Sequence, residues 1–83
     1  MDKKFAEALG WYGTTAFIGS YMLVSFGVIS ATGIVYQLLN LTGAAGIIII
    51  SLKKGVKQSV VLNVIWAAIA VAAIVRLVVA ANG

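Results

Sequence analysis

The chain contains no cysteine, no histidine and no proline. Lacking the first two, it has no disulfide, no thiolate chemistry and no axial ligand for a haem or an antenna chlorophyll. Acids are nearly as scarce. Asp2 and Glu7 are the only carboxylate side chains, and both precede the long apolar runs. Apart from tyrosine, nothing ionisable lies between Glu7 and Lys53 or between Lys57 and Arg76. No nucleophile–base pair and no metal-ligand cluster can be assembled from this inventory, so the sequence argues against an enzyme and implies no cofactor and no metal site.

Charge as a whole is also short. Charged residues make up 10% of the 83 positions, against about 25% in typical soluble domains. What fills the space is oil: 63% of residues are hydrophobic and the mean hydropathy is +1.12. Charge-free stretches of about 20 residues read as membrane-spanning helices. The expected fold is therefore all-α: a three-helix integral membrane bundle forming one domain over residues 1–83, a multi-pass protein of the cell membrane.

Three spans fit, at about 9–29, 34–52 and 59–79, each long enough for a hydrocarbon core of about 30 Å. Isoleucine and valine crowd the second and third spans, yet an open strand in lipid would leave its backbone unsatisfied, so helix is expected. One helix from Leu9 to Leu52 would run to about 66 Å, far too long for a bilayer. A turn is thus required near Ser30-Ala31-Thr32-Gly33, with Ser30 or Thr32 as a candidate cap for the next helix. The second connection, 53–58, is marked by three lysines and a glycine. The N-terminal segment could pass for a signal peptide, but Asp2, Glu7 and an apolar run longer than about 15 residues favour a retained helix.

The net charge of +4 is not clustered as nucleic-acid binding requires; the lysines flank apolar segments. Lys3, Lys4, Lys53, Lys54 and Lys57 fall on one side of a three-span arrangement and Arg76 on the other. By the positive-inside rule the N-terminus is cytoplasmic and the C-terminus outside. Trp11, Tyr12 and Tyr36 suit interfacial belts, and Arg76 can snorkel to the outer surface.

The polar residues within the spans are neutral: Tyr21, Ser25, Tyr36, Gln37, Asn40 and Asn63 form the candidate polar membrane site. Tyr36 and Asn40 share a helix face at i,i+4. Asn40 lies about 9 Å from the outer end of its span, at a depth that suits a hydrogen bond to Ser25 or Tyr21. Asn63, on the inner half, is not expected to meet Asn40. Small residues offer close packing: Thr42, Gly43 and Gly46 on the second span, Ala68 and Ala72 on the third. Trp66 is too deep for a belt residue, so it is expected to pack between helices with its N–H on Thr14 or Thr15.

The ordered set Gly10-Trp11-x-Gly13, Tyr21-Met22-Leu23-Val24-Ser25, Tyr36-Gln37-Leu38-Leu39-Asn40-Leu41-x-Gly43 and Ser59-Val60-Val61-Leu62-Asn63-x-x-Trp66 resembles a family of short, uncharacterised prokaryotic membrane proteins. Its members are sometimes labelled transporter or permease components. The resemblance covers about Leu9 to Arg76 and implies three membrane helices with no established activity. It departs at Gln58, where family members often carry proline, a residue suited to a first helical turn.

Other small membrane proteins fit less well. Rotary ATPase ring subunits and four-helix multidrug exporters need a mid-membrane carboxylate, and half-sized sugar transporters carry a proline-glutamine motif. Holin-like proteins usually end in a strongly charged tail, whereas this chain ends Ala80-Ala81-Asn82-Gly83. Two functions then compete. One is a structural or accessory subunit that self-associates or docks beside a larger membrane complex. The alternative is a protomer of a minimal oligomeric transporter or channel for a small solute. In both, the partners are the lipid bilayer and further protein, a homo-oligomer or larger complex, with no nucleic acid.

Overall fold

The computed structural model describes residues 2–82. They form three helices and, among the described residues, no strand: α1 (Lys3–Ser25), α2 (Ile34–Lys54) and α3 (Lys57–Asn82). α2 is central and packs antiparallel against both neighbours, while α1 and α3 do not approach each other. The expected bundle is thus a folded layer, about 42 × 26 × 20 Å.

The helix limits differ from the sequence expectation at both ends of α1. It begins at Lys3 rather than near Leu9, because lysine and glutamate are good helix formers and only a membrane would exclude their charge. It ends at Ser25 rather than Ile29. Gly27 takes a left-handed φ of 74°, and the N–H groups of Gly27 and Val28 close back on the carbonyls of Val24 and Leu23. That glycine cap satisfies carbonyls the helix would leave orphaned. Gly55, with φ 72°, ends α2 in the same way, so the second connection shrinks to Gly55-Val56 and the flanking lysines become helical.

The turn near Ser30 is present, but neither Ser30 nor Thr32 caps α2. Gly33 occupies the cap position without a side-chain bond, and Ser30 and Thr32 bond to each other at 2.9 Å.

Close packing of α1 on α2 follows from their glycines. Gly10 and Gly13 of α1 and Gly43 and Gly46 of α2 are all buried in the seam. A Cβ on Gly13 would collide with the Gly43 carbonyl, and one on Gly46 with the Leu9 carbonyl. The Tyr12 hydroxyl bridges the same seam to Thr42 Oγ1 at 2.6 Å; Thr42 gives its own proton to the Leu38 carbonyl, which makes Tyr12 the donor. At one end Lys54 pairs with Glu7 at 2.8 Å. That pair is substantially exposed, and in water such a contact contributes less than about 1 kcal/mol.

Burial is inverted relative to a soluble domain. Among the described residues, the buried apolar side chains are four alanines, Ala6, Ala16, Ala44 and Ala70, and the buried polar ones are Ser20, Asn40, Ser51 and Asn63. The large apolar side chains face outward, with Ile18, Leu38, Leu62, Ile65, Ile69 and Val79 among the exposed. α2 and α3 are long and apolar enough to cross a membrane. α1 falls short of that apolarity because Gly10, Gly13, Thr14, Thr15, Gly19 and Ser20 dilute it.

Candidate functional site

Since α1 and α3 stand apart on the same central helix, a cleft of about 460 Å³ opens between them. Its floor is α2, through Tyr36, Asn40 and Ile47; one wall is Phe17, Ser20 and Tyr21 of α1. The other wall is Ser59, Leu62, Asn63 and Trp66 of α3. Four of the six candidate polar residues, Tyr21, Tyr36, Asn40 and Asn63, therefore converge on one feature. Ser20, Ser59 and Phe17 join them without having been singled out; the signal for Ser59 is its one-turn spacing from Asn63, and Ser20 adjoins Tyr21 in sequence.

The two asparagines are held in the same way. Asn40 is 5% exposed and its Nδ2 donates to the Tyr36 carbonyl at 2.8 Å; Asn63 is 4% exposed and its Nδ2 donates to the Ser59 carbonyl at 2.9 Å. Each amide nitrogen is thus bonded to the preceding turn of its own helix, which fixes the rotamer and turns the amide oxygen outward. The Asn40 Oδ1 accepts the Trp66 indole N–H at 2.9 Å, the one side-chain bond between α2 and α3 at this depth. Nearer the short turn, Ser51 Oγ donates to Ser59 Oγ at 2.7 Å.

Several expectations are corrected here. Trp66 bonds Asn40, not Thr14 or Thr15, because α3 does not reach α1. It sits 45% exposed at the cleft rim rather than packed between helices. Asn40 bonds neither Ser25 nor Tyr21. Ser25 is exposed at the end of α1, and Gln37 turns to the α1–α2 connection, where its Nε2 donates to the Ala31 carbonyl at 3.2 Å. Gln37 borders a smaller hollow of about 150 Å³ that shares Tyr36, Asn40 and Trp66 with the main cleft. The two asparagines line one cleft without bonding to each other. Gly43 and Gly46 pack as expected, but within the chain; Ala68 and Ala72 are exposed on α3.

The fold and the cleft define a class: a small all-helical protein with small and polar residues inside, large apolar residues outside, and an uncharged groove along its central helix. Within that class, the chain matches the model of an uncharacterised protein family over residues 6–81, and it belongs to that family. No curated protein and no solved structure matches it.

Proposed function

We propose that the chain is a multi-pass subunit of the cell membrane that acts by association within the bilayer rather than by bond chemistry. The observation that carries this reading is the inverted burial. Alanines, glycines and neutral polar side chains fill the interior, while isoleucine, leucine and valine cover the outside. In water such a surface would exceed the few hundred Å² of contiguous apolar patch that monomers tolerate. In lipid it costs nothing. The long dimension of 42 Å agrees with a bilayer of about 40–45 Å including headgroups. α1 joins the other two as a span because its glycines, Ala16 and Ser20 turn toward the interior, leaving Trp11, Ile18, Met22 and Leu23 outward. The lysine distribution sets the N-terminus and the α2–α3 turn in the cytoplasm and the C-terminus outside.

Association is assigned to α3. Of its 26 residues only Asn63 and Ala70 are buried, and its free face carries Ala68 and Ala72 one turn apart. That small-xxx-small spacing lets a further helix, from a second copy or a larger complex, approach closely. Joint replacement of Ala68 and Ala72 by leucine is expected to turn an oligomer in mild detergent into a monomer, read by native mass spectrometry. A wild-type protein that is already monomeric, with nothing co-purifying, contradicts the assignment.

A second reading, a protomer of an oligomeric transporter or channel, is favoured by the convergence of Tyr21, Tyr36, Asn40 and Asn63 on one cleft. Solute flux in proteoliposomes tests it.

A further inference from the structure

The cleft holds one hydrogen-bonding arrangement that the fold leaves incomplete. Asn63 is 96% buried, by difference from its 4% exposure, and its Nδ2 is engaged by Ser59. Its Oδ1 takes no hydrogen bond from any described residue. That oxygen is not sealed in, since no enclosed side-chain oxygen among the described residues lacks a partner; it opens on the cleft that Asn63 lines. Beside it, Ser59 Oγ accepts from Ser51 and, at 3.4 Å, from Asn63, so its own proton is not spent on a described residue. An acceptor and a donor thus stand together at one end of an uncharged groove. Left unmet in a lipid environment, both groups carry a desolvation penalty.

A hydroxyl group meets both, donating to Asn63 Oδ1 while accepting from Ser59. The rest of the groove says what the hydroxyl is attached to. No charged side chain lines it, which disfavours a phosphate or ammonium headgroup, and Phe17, Ile47, Leu62 and Trp66 supply apolar walls. From Ile47 to Tyr36 the floor of α2 runs about 16 Å at helical rise, the dimension of an extended chain lying along the helix.

We propose that the α1–α3 cleft binds a neutral lipid bearing a free hydroxyl, of the diacylglycerol type. Its hydroxyl sits between Asn63 and Ser59, and one acyl chain runs past Leu62 and Trp66 along α2. The proposal rests on the membrane reading above, because the ligand reaches the cleft from the bilayer.

The chain has two tryptophans, and only Trp66 borders the cleft, so Trp11→Phe protein reports the site by its fluorescence. Dioctanoylglycerol titrated into that protein in detergent is expected to shift Trp66 emission saturably. The analogue with its hydroxyl methylated, which cannot donate to Asn63, should bind about fivefold or more weakly. Equal affinity for the two lipids, or no saturable shift, overturns the proposal. So does a Trp66 shift that follows protein dilution and ignores added lipid, which would mean a second copy fills the cleft. Alkaline washing of membranes separates the two levels: protein that stays in the washed membranes but fails the titration removes the lipid inference and leaves the membrane reading standing.

Discussion

Replacing Gly46 by alanine is expected to destabilise the α1–α2 pair by about 1–3 kcal/mol, the usual cost of forcing extra volume into a packed contact. The new Cβ meets the carbonyl of Leu9, which is backbone and cannot turn aside. The two helices must therefore separate along the seam, and the Tyr12–Thr42 bond at 2.6 Å is stretched with them. Gly13→Ala should behave alike, since its Cβ would meet the Gly43 carbonyl and Ile47. Gly10→Ala should cost less, because Ile50 is a side chain that can shift. Gly19→Ala is the control: a Cβ there meets nothing within 4 Å, and alanine is about 1 kcal/mol the better helix former. Denaturation midpoints in one detergent compare the four. Equal midpoints for Gly46→Ala and Gly19→Ala would show that the glycine seam is not what holds α1 to α2.

Trp66 and Asn40 are expected to behave as a coupled pair. Trp66→Phe keeps most of the ring but removes the N–H that Asn40 Oδ1 accepts at 2.9 Å; Asn40→Ala removes the acceptor and frees the indole. In membranes, double-mutant cycles across such interhelical bonds average about 0.6 kcal/mol and reach about 1.7. This one should fall toward the upper value, because the Asn40 amide is 5% exposed and already fixed by its bond to the Tyr36 carbonyl. Each single substitution is expected to loosen α3 from α2, and the double to cost clearly less than their sum. Strict additivity would mean that the indole–amide bond contributes nothing to holding the two helices.

The partnership of these two residues marks where the sequence stopped being readable. Counting residues from each helix end gave sensible depths, and Tyr36 and Asn40 do share a face. Depth alone, however, does not say which helix stands beside which. Trp66 was matched to Thr14 and Thr15 as though all three helices touched, whereas the glycine seam draws α1 to one side of α2 and leaves α3 on the other. The same layered arrangement creates the cleft, so the cleft was invisible too, although four of its polar residues were not. Gly43 and Gly46 were legible as a packing face because tiny residues have few other uses in a membrane helix. Their partner was not, and it proved to be the chain's own first helix. The end of α1 has a local reason: Gly27 stops the helix by adopting a left-handed φ, and its immediate neighbours Phe26 and Val28 are apolar and announce no turn.

The absence of native cysteine makes the topology directly measurable with single substitutions. Ala31→Cys lies in the α1–α2 connection, Val56→Cys in the α2–α3 turn, and Asn82→Cys at the end of α3. With three spans and the N-terminus inside, a membrane-impermeant maleimide should label positions 31 and 82 on intact cells, and position 56 only after the membrane is opened. Equal labelling of positions 31 and 56 on intact cells would place both ends of α2 on one side of the bilayer, and would contradict the account at its centre.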